Sequence, residues 1–139
     1  MTHPPFETEH PIAFGDCDPA GILFYPNHFR LMDASFHRWL ASFGLDQAGL
    51  RERFGILGTG LLDAAATFRA PVAPGDLLRH ELRVEAWTPR TLRLAYRGLV
   101  GDHLVIEGQE TRGLFRPEPS RPGGIALGET GPLRALVGG

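Results

Sequence analysis

The sequence contains no lysine, a single cysteine and no long hydrophobic run. All 14 basic residues are arginine, which excludes Schiff-base catalysis, lysine-bound pyridoxal phosphate and a Walker-type lysine site. Cys17 alone cannot form an internal disulfide, which agrees with a reducing compartment. No stretch approaches the ~20 consecutive apolar residues of a membrane helix. We therefore expect no membrane partner.

Charge and metal-binding patterns are also sparse. The formal net charge is -2, whereas a general nucleic-acid binder needs clustered basic residues. The six histidines show neither H-x-x-H nor H-x-x-x-H spacing and have no cysteine partners, so we expect no metal and no cofactor. The N-terminal stretch M-T-H-P-P-F-E-T-E-H lacks the basic and apolar regions of a signal peptide. We expect a cytoplasmic protein.

The 139 residues, 42% of them hydrophobic, suit a single domain spanning residues 1–139. Periodicity and turn residues predict one weak strand, one long amphipathic helix, one short helix and then only strands. The four later strands are expected to form a consecutive meander, and a proline- and glycine-rich tail to be irregular. The predicted elements are strand 6–14, helix 27–43 ending at Gly44, helix 46–54, strands 62–70, 76–87, 92–100 and 104–116, and the tail from about 117.

The most informative stretch is residues 14–29, F-G-D-C-D-P-A-G-I-L-F-Y-P-N-H-F. An unpaired charge is expensive to bury, so Asp16 and Asp18 in these apolar surroundings indicate chemistry. Pro26 looks like the entry to a helix, which sets the carboxylates near unpaired backbone N–H groups. Such groups can polarise a carbonyl and hold the oxyanion that it becomes. The stretch therefore predicts a site for acyl transfer or hydrolysis.

The same stretch resembles the signature of the 4-hydroxybenzoyl-CoA thioesterases of the Pseudomonas type, in the hotdog acyl-CoA thioesterase superfamily. The runs L-M-D-A-S and G-I-L-G-T and the position of Trp87 are also similar. The resemblance covers roughly residues 6 to 116. It implies an α+β hotdog fold, in which an antiparallel sheet wraps around one long helix. It also implies hydrolysis of an acyl-CoA thioester, with an aromatic, 4-hydroxybenzoyl-like acyl group, to the free acid and coenzyme A.

The resemblance also assigns roles around the acidic loop. Asp18 matches the catalytic aspartate, acting as nucleophile or as general base on a water, although a turn-capping aspartate is the plain alternative. Tyr25 matches the position whose backbone N–H receives the thioester carbonyl. Gly21 would let the ligand approach the backbone closely. Asp16 is better explained as a structural residue that binds loop amides, and Cys17 as a small buried residue whose acidic neighbours oppose thiolate formation.

Three further positions are implied to bind substrate. Asp33 matches a helix position that reads a polar substituent of the acyl group, and an exposed helix aspartate explains it equally well. Thr59, in the G-x-x-G-x-G run, is similar to a residue that lines the thioester from a partner subunit. Arg90 matches a turn whose basic cluster binds the phosphates of coenzyme A. Because this turn holds only one arginine, phosphate binding would be thinner or shared with another arginine such as Arg116, and a solvated turn arginine is the alternative.

Two other functions fit the sequence less well. A hotdog hydratase or dehydratase would pair an aspartate with a histidine, but G-D-C-D-P-A-G places Gly21 where that histidine is required. A non-catalytic acyl-CoA binding module has no need of a buried carboxylate such as Asp18. His80 is expected to be a hydrogen-bonded core residue, and His28 lies close enough to the loop to orient it. Exposed strand edges predict an edge-to-edge dimer, and the family implies a dimer of dimers.

Overall fold

A computed structural model describes residues 3–139; Met1 and Thr2, which the predicted single domain includes, lie outside the described residues. The described chain forms an α+β structure in which one long helix and a short one precede most of the strands. The helices are α1 (Tyr25–Ala41), α2 (Gln47–Phe54) and α3 (Gly131–Val137), and the strands are β1 (Phe6–Pro11), β2 (Gly58–Phe68), β3 (Leu77–Trp87), β4 (Leu92–Val100), β5 (His103–Pro117) and β6 (Ile125–Leu127).

The strands form one sheet in the order β1-β3-β4-β5-β2, with β6 pairing to β5. Strand β1 runs antiparallel to β3, with Thr8 opposite His80, and β6 runs antiparallel to β5. The predicted meander is correct for β3, β4 and β5 but wrong for β2, which joins the far side of β5 instead of pairing with β3. Strands β1 and β2 therefore lie at the two ends of the strand order.

Contacts between Cα atoms group the chain into two units. The first unit contains the residues up to Trp39 together with Ala65–Arg83 and Ala95–Gly108, and the second contains Leu40–Ala64, Val84–Leu94 and Gln109–Gly139. Helix α1 and each of the strands β2 to β5 have residues in both units. That residues 1–139 form a single hotdog domain stays a prediction.

In the first unit, α1 buries the apolar face that its period predicted. Met32 and Phe36 are buried on this face, in agreement with the spacing of three and four in the sequence. A Cβ atom at Gly108 would lie 2.7 Å from Met32 Cε, so this glycine allows β5 and α1 to pack closely. Leu31 of α1 belongs to a core cluster of buried hydrophobic residues, whose members are Ile12, Leu23, Leu31, Val72, Leu78, Val105 and Ile106.

In the second unit, the ends of the helices follow local signals. The α-helical hydrogen bonds of α1 stop at Ala41, and Gly44 in the left-handed conformation (φ 77°) turns the chain out of the helix, as its sequence position predicted. The predicted second helix is confirmed: Asp46 caps α2 by accepting a hydrogen bond from the Gly49 N–H at 2.6 Å, and Gly55 ends it in the left-handed conformation. Asp46 and the two left-handed glycines therefore mark these three helix ends.

The bounds of two predicted strands differ from those in the structure. Strand β1 ends at Pro11 and buries Thr8 and His10, while Phe14 lies in a short 3₁₀ turn with 86% of its surface exposed. Strand β2 begins at Gly58 and ends at Phe68, where residues 62–70 were predicted, and it exposes Leu62 and Phe68. Because β2 lies at the end of the strand order, its side chains have a neighbouring strand on one side only.

The predicted irregular tail is wrong for much of its length. Strand β6 pairs with the end of β5, where Arg116 lies opposite Ala126. Helix α3 then begins with Pro132 in its first turn and ends at Gly138 in the left-handed conformation. Leu133 of α3 is buried. A short run of apolar residues thus folds onto the unit even though proline and glycine dominate the segment before it.

Candidate active site

The acidic loop of the first unit is a tight hairpin that presents Asp18. Cys17 and Leu23 form an isolated antiparallel bridge, and the Asp18 N–H donates to the Ile22 carbonyl at 2.9 Å. The Gly21 N–H donates back to the Asp18 carbonyl at 2.9 Å, closing a turn in which Gly21 has φ 78°. A side chain at this φ would be strained, which explains the glycine.

The Asp18 carboxylate is half-buried and keeps hydrogen-bonding capacity for a ligand. Its Oδ1 accepts a hydrogen bond from the Ala20 N–H at 2.9 Å. Within residues 3–139 no arginine or histidine forms an ion pair with it. Because a carboxylate has about four lone-pair sites, the group can still accept a proton from water or attack a carbonyl carbon. The turn-capping role and the catalytic role are therefore compatible.

Asp16 holds the loop together, as the sequence analysis expected. Its Oδ2 accepts from the Ala13 N–H at 2.9 Å, and its Oδ1 lies 3.5 Å from the Arg30 guanidinium. Its main-chain carbonyl accepts from the Phe24 N–H and from the Asn27 side-chain amide at 3.0 and 2.8 Å. These bonds tie the loop to the first turn of α1. Asp16 is thus a structural residue of the loop.

Cys17, between the two acids, is a half-buried thiol whose Sγ lies 3.6 Å from the Ala13 carbonyl. Burial, followed by the charges of Asp16, Asp18 and Asp76, raises the pKa of this thiol. A raised pKa disfavours the thiolate, which is the nucleophilic form. Cys17 is therefore a poor nucleophile near neutral pH.

Tyr25 is the first residue of α1 and follows the loop directly. The Asn27 N–H donates to the Phe24 carbonyl at 2.8 Å, and Pro26 has no N–H. Among the described residues, none accepts a hydrogen bond from the Tyr25 N–H. The Tyr25 ring is 61% exposed and meets Phe24 edge to face. The helix thus begins with an unused backbone donor, where the helix dipole favours negative charge.

Asp33 lies two turns further along α1 and is exposed. Its carboxylate lies 3.5 Å from Nε2 of His37, one helical turn later, and both side chains are about half exposed at 52% and 42%. Asp33 belongs to the first unit, as do Asp18, Gly21 and Tyr25. Its role toward the acyl group stays a prediction.

Thr59 and Arg90 belong to the second unit. Thr59 is held by Gln47 at the start of α2: the Thr59 N–H donates to Gln47 Oε1 at 3.0 Å, and Gln47 Nε2 donates to Thr59 Oγ1 at 3.1 Å. Sequence reasoning missed Gln47. The only available signal was its place beside the capping Asp46, because the partner lies 12 residues away.

Arg90 lies in the turn between β3 and β4 and is anchored to the tail. Its Nη1 donates to the Leu127 carbonyl of β6 at 2.7 Å. A guanidinium has five N–H donors, so this bond leaves others for a phosphate. Arg116, the second arginine proposed for phosphate binding, forms an ion pair with Glu118 at 2.8 Å. The structure thus gives Arg90 a local role, while its predicted role toward coenzyme A stays a prediction.

Buried histidines form a polar network that the sequence did not reveal. Ser35 Oγ lies 2.8 Å from His80 Nδ1, 3.0 Å from His10 Nε2 and 2.8 Å from Thr8 Oγ1. His80 is fully buried, which confirms it as a hydrogen-bonded core residue. Burial, with smaller contributions from His10, His28 and Arg38, lowers the pKa of His80 to about 3. A neutral, buried imidazole of this kind stabilises packing and does not serve as a base near neutral pH.

Residues 3–139 also bear on two other kinds of site. They contain no group of three or more histidine, cysteine or acidic side chains that could hold a metal ion. No helix in this part of the chain is long and apolar enough to cross a bilayer.

The chain is similar in sequence to two enzymes that act on aromatic acyl-CoA thioesters by name. The chain is 37% identical over 78 residues to the 4-hydroxybenzoyl-CoA thioesterase of Pseudomonas sp. strain CBS-3, covering 55% of each chain. It is 30% identical over 91 residues to the 1,4-dihydroxy-2-naphthoyl-CoA hydrolase of Prochlorococcus marinus strain MIT 9313, covering 61% of this chain and 60% of that one. The aligned part is thus little more than half of either curated relative.

The solved structure of the Pseudomonas thioesterase superposes with a TM-score of 0.82 at 24% identity, over 97% of this chain and 99% of that one. This likeness confirms the α+β hotdog fold expected from the sequence, with its antiparallel sheet and long helix. Residues 12–118 match the family profile of the thioesterase-like superfamily. The match extends through the acidic loop, α1 and the long strands, and the chain therefore belongs to the thioesterase-like superfamily.

Proposed function

We propose that the protein is an acyl-CoA thioesterase, with Asp18 and the Tyr25 backbone N–H as its catalytic groups. The observation that carries the proposal is the pairing of a carboxylate without an ion-pair partner and an unused N–H at the start of α1. A single hairpin and the first helical turn hold both groups. Acyl transfer needs these two components, one to deliver a nucleophile and one to stabilise the oxyanion.

In the proposed reaction, the thioester carbonyl accepts a hydrogen bond from the Tyr25 N–H. Along one route, a carboxylate oxygen of Asp18 attacks the carbonyl carbon, the C–S bond breaks, coenzyme A leaves as thiolate, and water hydrolyses the resulting anhydride. Along the other, Asp18 removes a proton from the attacking water and returns it to the leaving thiolate. Both routes consume one water and yield the acid and coenzyme A. Gly21, which has no side chain, leaves the loop open to the ligand.

An aromatic acyl group is the preferred substrate class. The two curated relatives act, by name, on 4-hydroxybenzoyl-CoA and 1,4-dihydroxy-2-naphthoyl-CoA, which share a hydroxylated aromatic ring. Asp33, an exposed carboxylate on the helix that begins at Tyr25, can accept a hydrogen bond from such a hydroxyl. Within this proposal, Asp33 reads the ring substituent, Thr59 of a partner subunit lines the thioester, and Arg90 contacts the nucleotide.

A panel of acyl-CoA thioesters tests the proposal, with free thiol followed by a colour reagent. Benzoyl-, 4-hydroxybenzoyl-, dihydroxynaphthoyl- and short-chain acyl-CoA compounds would rank the acyl groups. Asp18→Asn should remain folded and lose roughly 100-fold or more in kcat, the range for a positioned acid or base. No thiol release from any compound, with binding retained, would instead indicate a non-catalytic acyl-CoA binding module. Hydration of an unsaturated acyl-CoA would indicate a hydratase.

Asp76→Asn is a matched control for this variant. Asp76, like Asp18, is a turn aspartate of the first unit, and its Oδ2 accepts from the Ala73 N–H at 2.8 Å. Both substitutions replace a turn carboxylate by a neutral amide whose oxygen can still accept the backbone hydrogen bond, so their effects on the melting temperature should be similar. Only Asp18→Asn should abolish turnover. Equal activity in the two variants would reject Asp18 as the catalytic group.

A further inference from the structure

The glycine-rich run before β2 is shaped by a contact with Gln47. A Cβ atom at Gly58 would lie 2.8 Å from Gln47 Oε1, and one at Gly60 would lie 1.8 Å from the Phe115 ring. Real Cβ atoms essentially never approach this closely, so neither glycine can carry a side chain here without displacing its neighbour. The two glycines thus let Gln47 and Phe115 pack against the backbone on either side of Thr59. The glycines of this run therefore serve close packing around Thr59.

The direction of the two Gln47 bonds is fixed by chemistry. The Thr59 backbone N–H can only donate, so the side-chain atom of Gln47 at 3.0 Å from it must be the amide oxygen. The amide nitrogen then faces Thr59 Oγ1 at 3.1 Å, and an amide nitrogen can only donate. The Thr59 hydroxyl oxygen is therefore an acceptor in this contact. Its own proton has to point away from Gln47.

We propose that Gln47 is a positioning residue, which fixes the Thr59 side chain so that its hydroxyl proton is presented to the thioester group of the substrate. This inference rests on the proposed thioesterase function and on Thr59 contacting substrate. Gln47 touches no substrate atom in this arrangement; it acts by setting the rotamer and the donor direction of Thr59. Pre-organised donors of this kind cost no reorganisation when charge develops on the reacting group.

Gln47→Glu tests the donor direction with almost no change in shape. A carboxylate still accepts from the Thr59 N–H, but it has no proton to donate to Oγ1 and instead attracts the hydroxyl proton. Thr59 would then keep its hydroxyl and lose its donor direction. We expect kcat/KM to fall roughly threefold to tenfold, the fold-change for one hydrogen bond, as it should in Thr59→Val. Gln47→Glu combined with Thr59→Val should be no slower than Thr59→Val alone.

Ala48→Glu is the matched control. It adds the same charge at the next, exposed position of α2 without reaching Thr59, and should leave kcat/KM within twofold. The pH profile supplies a second readout. Once protonated, the carboxyl introduced by Gln47→Glu can donate again, so the variant-to-wild-type ratio of kcat/KM should rise as pH falls from 7 to 5. Melting temperatures would show that each variant is folded.

The outcomes separate this inference from the function on which it rests. If the wild type hydrolyses no thioester, the proposed function fails and takes this inference with it. If the wild type is active and Thr59→Val is normal while Gln47→Glu is slow, Gln47 does not act through Thr59. Equal losses in Gln47→Glu and Ala48→Glu would assign the effect to charge at the helix end. Additive losses in the double variant would likewise overturn the positioning role.

Discussion

Glu110 and Arg112 form a buried, bidentate ion pair from the same face of β5. Arg112 Nε lies 2.9 Å from Glu110 Oε1, and Nη2 lies 3.0 Å from Oε2. The side chains are only 2% and 4% exposed. Burying the two charges is costly, and their mutual attraction offsets that cost only while both are present.

Removing one partner should therefore destabilise the protein strongly. We expect Glu110→Ala to lower the free energy of unfolding by about 3–5 kcal/mol, because it leaves the Arg112 charge buried. Glu107→Ala on the same strand is the control: its partner Arg69 binds at 2.7 Å, but the side chains are 53% and 43% exposed. An exposed pair contributes about 1 kcal/mol or less. Urea unfolding of both variants measures the difference, and equal losses would contradict the assignment.

Acid should destabilise the first unit through its buried histidines. Burial, and to a lesser extent Arg38 and Arg30, lowers the pKa of His10 to about 4. Burial lowers the pKa of His28 to about 4 as well. In the unfolded chain these groups titrate near 6.5, so between pH 6.5 and 4 the unfolded state binds more protons. The contribution of each buried histidine to the free energy of unfolding is complete above pH 6.5. It falls as pH decreases, by about 1.4 kcal/mol per pH unit for each histidine.

His28→Phe isolates one histidine of this set. Among the described residues, none accepts from or donates to His28 Nδ1, and the ring packs 5.2 Å from that of Phe68. Phenylalanine keeps the packing and cannot titrate. Between pH 4 and 6.5, the slope of the unfolding free energy against pH should then decrease by the equivalent of about one bound proton, about 1.4 kcal/mol per pH unit. An unchanged slope would show that His28 is not buried in its neutral form.

Local signals predicted the helices well. The spacing of apolar residues located α1, and Asp46, Gly44 and Gly55 marked helix ends through capping geometry that involves near neighbours only. Pairings between distant segments were less accessible. Nothing near β2 specified β5 as its partner, and the Ser35 contact with His80 joins residues 45 positions apart. Such contacts depend on the packing of the folded chain.

The same division holds within the candidate site. The sequence located Asp18, Gly21 and Tyr25 together because the acidic loop leads directly into the first residue of α1. It did not identify the bond from Arg90 to the Leu127 carbonyl, which spans 37 positions and requires the tail to form β6. The tail was misread because proline and glycine counts describe a segment's average and not its few apolar contacts.

The β2 end of the sheet should be a contact surface between copies of the chain. Strand β2 has a strand neighbour on one side only and exposes Leu61 and Leu62, whereas the β1 end exposes Glu7 and Glu9. An apolar edge strand favours pairing, and charges oppose it. We expect a dimer or a dimer of dimers by light scattering at micromolar concentration, dissociated by Leu61→Lys and not by Glu9→Lys. A fully active monomer would contradict a site completed by a partner subunit.

Arg90 offers a test that separates binding of the nucleotide from support of the tail. Coenzyme A carries a 3′-phosphate and a pyrophosphate, and with no lysine in the chain an arginine, backbone amides or water must meet them. Loss of an exposed phosphate contact removes binding that is uniform along the reaction, so KM should rise and kcat stay nearly unchanged. We expect Arg90→Ala to raise KM for acyl-CoA roughly threefold to thirtyfold, equivalent to ~0.7–2 kcal/mol.

An acyl-pantetheine, which lacks the nucleotide, distinguishes the two roles of Arg90. If Arg90 contacts a phosphate, hydrolysis of this truncated substrate should be the same in Arg90→Ala and in wild type. Arg93→Ala provides the control, since Arg93 is an exposed arginine of β4 that binds Glu85 at 3.2 Å. Losing the bond from Arg90 to the Leu127 carbonyl would instead disturb the turn whichever substrate is present. Equal slowing of both substrates by Arg90→Ala, with a lower melting temperature, would therefore show that Arg90 supports the turn and does not contact the nucleotide.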